Sequence, residues 1–217
     1  YIPDNREGWV KALGMVIDPY IFDHEKLITI YKNRSKYDPL YESEPIFEGI
    51  PNFNYSLIRK KGLPIKTFGG ISSGPEPLKA LLENIIKIFE EKKGKYIKSV
   101  DIIDIITNIA ACVIAGNVRR SATIALGNVE NEEFINAKHP DVLENLPLYR
   151  NYRWGANNSV IVNIGSNYKD IVKKIIVNGE PGIFWLENAR KYSRMCDPPN
   201  NLDYRVAGCN PCGEQSL

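Results

Sequence analysis

Residues 100–115 read VDIIDIITNIAACVIA, a helix-length run that is apolar on nearly every side. Such a helix has no solvent face of its own, so other elements have to pack on several sides of it. Ser99 suits the cap of its first turn, and Gly116 stops it. Asp104, Thr107 and Asn108 interrupt the apolar residues, which leaves the run short of the ~20 apolar residues a membrane span requires. The rest of the chain must therefore supply the packing partners.

It does so by alternation. Trp9, Leu13, Val16 and Ile17 predict a helix over residues 6–17, and residues 22–31 form a second short one. Residues 35–52 carry Pro39, Pro45 and Pro51 with few periodic apolar positions and read as a surface insertion. A strand is expected at 53–59, and a glycine- and proline-rich loop opens a helix near Pro77. In that helix Leu78, Leu81, Leu82, Ile85, Ile86 and Phe89 make a core-facing stripe, and Gly94 ends it. Strands at 122–126, 159–163 and 182–186 then alternate with helices near 130–137, 168–177 and 187–192. This order argues for an α/β fold with largely parallel strands.

With 217 residues, 43% hydrophobic and 25% charged, the composition supports one core or two. A net charge of +2, with scattered basic residues, lacks the field of a nucleic-acid binder. The start YIPDNRE has neither the basic segment nor the apolar core of a secretory signal. The chain reads as cytoplasmic, without a membrane or nucleic-acid partner. The lack of an initiating Met and the stop at Leu217 read as a piece of a longer protein.

Four cysteines are too few for a disulfide framework, and Cys196, Cys209 and Cys212 crowd towards one end. In AGCNPCGEQSL (207–217), Cys212 stands two residues after Asn210 and two before Glu214. In an extended or tightly looped segment these three side chains point the same way, so a thiol, an amide and an acid converge on one small molecule. Pro211 fixes one backbone angle and Gly213 permits an unusual one, which suits a rigid tip presenting a sulfur. The pair Cys209-x-x-Cys212 also reads as a zinc half-site or a thiol–disulfide module. Zinc needs a second half, and only Cys112 and Cys196 remain as thiols, with His24 and His139 distant in sequence.

The segment NPCGEQSL (210–217) resembles the finger loop of class II ribonucleotide reductases, the adenosylcobalamin-dependent kind that reduces triphosphates. DNREGWVKAL (4–13), KTFGGISSGPEPL (66–78), AGNVRRSATIALG (115–127), RWGANNSV (153–160) and GEPGIF (179–184) fall in the same family's order, so the likeness covers nearly the whole chain. The resemblance implies part of a ten-stranded α/β barrel, with residues 1–52 a helical lead-in and insertion and 53–217 a barrel half that ends in the finger loop.

By the same resemblance the chemistry is thiyl-radical reduction of ribonucleotides to deoxyribonucleotides for DNA synthesis. Adenosylcobalamin is the cofactor, its site mostly outside this chain, and it supplies the radical chemistry while the protein orients it. Cys212 becomes the thiyl that removes the ribose 3′ hydrogen, Glu214 is the base on the 3′ hydroxyl, and Asn210 holds the ribose hydroxyls. Asn117, Val118, Arg119, Arg120 and Ser121 match the substrate-specificity loop, which responds to an effector deoxynucleotide. A guanidinium there offers a planar fork for base or phosphate oxygens. The electrons come from a thioredoxin-like or dithiol reductant through a cysteine pair outside these segments, so the piece alone is expected to be inactive. Cys209 stands where many relatives carry a hydroxyl. In the full-length protein, alanine at Arg119 or Arg120 is expected to change nucleotide preference or effector response more than melting temperature. Equal loss on all substrates with a lowered melting temperature would mark a structural role instead.

Overall fold

A computed structural model of the chain describes residues 1–35, 49–65, 69–115, 121–192 and 198–217. The chain divides into two compact units, one of Tyr1–Tyr96 with Ile114–Arg119 and the other of Ile97–Val113 with Arg120–Leu217. No helix among the described residues is long and apolar enough to cross a membrane.

The first unit is helical. Helix α1 (Arg6–Ile21) starts where the Asn5 side chain accepts the Gly8 N–H at 2.7 Å, and it runs on through Pro19, past the end expected from its apolar spacing. Helix α2 (His24–Ser35) follows, and helix α3 (Glu76–Lys92) buries Leu78, Leu81, Leu82, Ile85, Ile88 and Phe89. The α3 stripe matches the expectation except that Ile88 replaces the half-buried Ile86. Tyr20 of α1 stacks on Phe89 at 4.8 Å between ring centres and donates its hydroxyl to Glu90 at 2.6 Å, which pins α1 to α3.

Residues 53–59 do not form the expected strand. The Asn54 side chain takes the Ser56 N–H at 2.9 Å, the Ile58 N–H turns back to the Tyr55 carbonyl at 3.0 Å, and the Asn54 carbonyl accepts from Ile2. These turn bonds bend the backbone away from the extended course a ladder needs. The insertion expected at 35–52 lies mostly outside the described residues.

The second unit holds the sheet. Helix α4 (Ser99–Ile114) leads to strand β1 (Ile124–Asn128), short helices α5 (Glu132–Ile135) and α6 (Pro140–Glu144), and a 3-10 helix over Leu148–Gly155. Strand β2 (Asn157–Val162), helix α7 (Lys169–Asn178), strand β3 (Gly182–Trp185) and helix α8 (Leu186–Tyr192) complete the alternation. The strands are parallel in the order β1-β2-β3, with Ile124 paired to Asn157 and Ser159 to Gly182. This is the α/β arrangement expected, although β1 and β2 begin two residues away from their predicted starts. Val160 and Val162 of β2 pack with Ile103, Phe134, Ile135 and Ile171 as the core. Gly127 lies beneath the Phe134 ring, where a Cβ would overlap it.

Helix α4, expected to be packed on several sides, leaves one apolar side exposed among the described residues. Its buried residues are Asp101, Ile103, Asp104, Thr107, Asn108 and Ala110, while Ile102, Ile106 and Val113 are exposed. The polar residues that interrupt the apolar run therefore form the packed side. Asp104 has no exposed surface and accepts from Arg153 through Nε at 2.6 Å and Nη2 at 2.9 Å, and from Arg150 Nη1. Arg150 Nη1 also reaches Asp101 at 3.1 Å, and Arg153 Nη1 donates to the Ala137 carbonyl at 2.8 Å. A buried carboxylate costs several kcal/mol of desolvation, recovered here through several charge-assisted bonds of good geometry. Asp104→Asn leaves buried guanidinium donors under-paired and is expected to destabilise by about 3–5 kcal/mol in thermal unfolding. The exposed pair Lys79–Glu83, at 4.0 Å, gives the contrast, with a change below about 1 kcal/mol on Glu83→Gln.

Candidate active site

The last eleven residues, 207–217, fold as a hairpin on the second unit. Cys209 bridges antiparallel to Ser216, the Leu217 N–H donates to the Gly208 carbonyl at 2.9 Å, and the Asn210 N–H donates to the Gln215 carbonyl at 2.9 Å. At the tip the Gly213 N–H donates to the Asn210 carbonyl at 2.8 Å, which closes a β-turn over residues 210–213. Pro211 occupies the second turn position, where its fixed φ is favoured, and Gly213 takes a φ of +77° that side-chain-bearing residues rarely adopt. A turn stands where Pro211 and Gly213 suggested one, with Cys212 at its third position.

The chain reverses between Asn210 and Gly213. Asn210 uses its Oδ1 to accept the Gln215 N–H at 2.9 Å, so half of its amide holds the hairpin and Nδ2 is the end left to donate. Cys212 and Glu214 are both exposed, and Asn210 is half-buried.

The two hairpin thiols differ. Cys209 is 7% exposed, and burial followed by the negative charge of Glu214 pushes its pKa above the usual thiol range. Cys212 is exposed at the tip, and both thiols are free. Cys112 on α4 is half-buried, and burial raises its thiol to about 11. A raised pKa keeps a cysteine as the thiol and makes it a poorer nucleophile and metal ligand. Among the described residues no group of three or more His, Cys, Asp and Glu side chains stands together as a metal site.

Three contacts seat the hairpin on the sheet-bearing unit. Arg190 of α8 donates from Nε to the Val206 carbonyl at 2.8 Å, at the hairpin base. Gly208 lies against Leu126 of β1, where a Cβ would come within 3.0 Å of the leucine Cδ1. Asn157, the first residue of β2, donates from Nδ2 to the Pro211 carbonyl at 3.2 Å, and the Ser159 hydroxyl donates to Asn157 Oδ1 at 3.0 Å. Sequence reasoning left Asn157 and Ser159 without a role. The signal for them was the polar triplet Asn157-Asn158-Ser159 opening an otherwise apolar strand.

Asn117, Val118, Arg119 and Arg120, read as the specificity loop, lie outside the described residues, as does Cys196. Ser121 is exposed just ahead of β1. A cleft of about 280 Å³ lies between α4 and β1, lined among others by Ile102, Ile106, Thr123 and Leu126 and by no hairpin residue.

No family model matches the chain. The whole chain is 40% identical, over 216 residues, to the "Adenosylcobalamin-dependent ribonucleoside-triphosphate reductase" of Euglena gracilis. It is 39% identical, over 218 residues, to the protein of that name from Lactobacillus gasseri, and it spans 26% of each. Among solved structures, a B12-dependent (class II) ribonucleotide reductase superposes on all of the chain with a TM-score of 0.71 at 34% identity. The chain again spans 26% of that protein. The resemblance read from the sequence is thus matched along the full length, to about a quarter of such reductases.

Proposed function

We propose that the chain is the part of an adenosylcobalamin-dependent ribonucleoside-triphosphate reductase that carries the radical cysteine, Cys212. The observation that supports this most is the placement of Cys212, exposed at the tip of a closed β-turn that is hydrogen-bonded to the first residue of the central strand of a parallel sheet. An enzyme that moves a hydrogen atom between a cofactor and a sugar needs a thiol that both can approach and that does not wander. In this reading the hairpin is the finger loop, residues 53–217 belong to one half of a ten-stranded barrel, and residues 1–52 are its lead-in and insertion. Exposed Ile102 and Ile106 on α4 and Ile183 and Trp185 on β3 fit a sheet-bearing segment that continues into a larger core.

Adenosylcobalamin, when bound, supplies the oxidising equivalent that takes the hydrogen atom from the Cys212 thiol. The described residues suit that chemistry at the accessible thiol alone, because the cleft beside α4 is apolar, small beside a corrin, and lined away from the hairpin. The cofactor's other contacts come from regions this chain does not span. The Cys212 thiyl then removes the ribose 3′ hydrogen atom, the Glu214 carboxylate accepts the 3′ hydroxyl proton, and Asn210 donates from Nδ2 to a ribose hydroxyl. Asn117, Val118, Arg119, Arg120 and Ser121 form the loop that reads the base under an effector deoxynucleotide. A dithiol or thioredoxin-like protein returns the electrons.

In the full-length protein with adenosylcobalamin and a dithiol, Cys212→Ser is expected to form no deoxynucleotide while melting as the parent does. A serine O–H is too strong a bond to enter the hydrogen relay. Glu214→Gln should slow turnover by roughly 10²-fold or more, the usual worth of a positioned base. Cys209→Ser should stay within about tenfold, or ~1.4 kcal/mol of barrier. Turnover surviving Cys212→Ser, or loss at Cys209 as deep as at Cys212, would overturn the assignment.

A further inference from the structure

We infer that Asn157 is the positioning residue for Cys212, holding the Pro211 carbonyl so that the hairpin tip presents its thiol at one fixed place. The inference rests on Cys212 being the reacting thiol. The Pro211 carbonyl belongs to the peptide group that joins Pro211 to Cys212, so a bond to it acts on the thiol-bearing residue through one rigid planar unit. Asn157 Nδ2 makes that bond at 3.2 Å. The asparagine is itself anchored, since it opens β2 and pairs with Ile124 of β1.

A terminal amide is free to turn end for end, and only one orientation offers a donor to the hairpin. The Pro211 carbonyl, which only accepts, requires Nδ2 on its side, and Ser159, two residues along and therefore on the same face of the strand, braces the other end of the amide. Its hydroxyl donates to Asn157 Oδ1 at 3.0 Å, leaving Nδ2 towards Pro211. Ser159 is 6% exposed and pairs with Gly182 of β3, where a Cβ would overlap the serine Oγ. Gly182 thus leaves the space in which the Ser159 hydroxyl braces Asn157. The result is a relay from β3 through β2 to the tip, distinct from the bonds that shape the hairpin internally, such as Gly213 N–H to the Asn210 carbonyl.

The test uses the full-length protein that contains this chain, with Asn157→Ala, Asn157→Asp, Ser159→Ala and Gly182→Ala. Two quantities are read: the rate at which iodoacetamide alkylates Cys212, resolved from Cys209 by peptide fragmentation, and kcat and KM for deoxynucleotide formation. Asn157→Asp keeps an acceptor for Ser159 but has no donor for Pro211, so it should fail as Asn157→Ala does. Both are expected to shift the alkylation rate by about threefold or more and to lower kcat by about tenfold or more with KM within about twofold, the pattern of a misplaced reacting group. Gly182→Ala should reproduce the effect from β3, and Ser159→Ala should give a smaller one in the same direction. An Asn157→Asp protein with parental alkylation and kcat overturns the inference, as does a loss carried by KM alone. If the parent forms no deoxynucleotide at all, the reductase reading fails, while the alkylation rates still decide whether Asn157 places the tip.

Discussion

The Asp104 carboxylate, with no exposed surface, is the point on which the sheet-bearing unit is built. It fastens α4 to Arg150 and Arg153, both in the 3-10 helix that runs straight into β2. Asn108, one turn along α4, donates to the Tyr149 carbonyl at 2.7 Å and strengthens the same junction. A second charged node stands close by, where the buried Lys138 ammonium bonds the Ala156 carbonyl and pairs with Glu180. Ala156 immediately precedes Asn157, and Glu180 lies two residues before Gly182. The approaches to β2 and β3 are therefore both tied to the buried Lys138 ammonium, one through the Ala156 carbonyl and the other through the half-buried Glu180. Such groups have no comfortable alternative position, because any shift leaves a charge without its partner in a medium of low dielectric.

That dependence explains which parts of the structure were legible in the sequence. The length of α4, the stripe of α3 and the strand–helix alternation follow from period and punctuation, which are local properties. The buried face of α4 does not. Asp104 and Asn108 look like interruptions until Arg150 and Arg153, which pair with Asp104, and the Tyr149 carbonyl, which accepts from Asn108, are known to lie beside them, although these are more than forty residues away in the chain. The starts of β1 and β2 also differ from apolar alternation, because the ladder begins where Ile124 pairs with the polar Asn157. At 53–59 the apolar and aromatic residues suggested a strand, and the Asn54 side chain diverted the backbone into turns.

At the hairpin the sequence was informative in another way. Pro211 and Gly213 announced a turn, and the turn is there. Two asparagines help to hold it. Asn210 accepts from Gln215 with one end of its amide, and Asn157 reaches the Pro211 carbonyl from the sheet. Cys209 and Cys212, which look equivalent in a C-x-x-C pattern, differ in burial. The buried one is kept protonated by desolvation and by Glu214, whereas the other stands in the open at the turn. This division suits one reactive thiol with an inert neighbour better than a matched pair of thiolates.

The central claim is that this hairpin delivers a hydrogen-abstracting sulfur to a ribose. It is tested most directly by a competitive isotope effect on kcat/KM, with ribonucleoside triphosphate carrying deuterium or protium at C3′, in the full-length protein supplied with adenosylcobalamin and a dithiol. Competition makes the measurement insensitive to slow product release. The account predicts discrimination against the deuterated substrate in the parent and no product of either kind in the Cys212→Ser protein. Deoxynucleotide formed without discrimination at C3′, or formed by the Cys212→Ser protein, would contradict it.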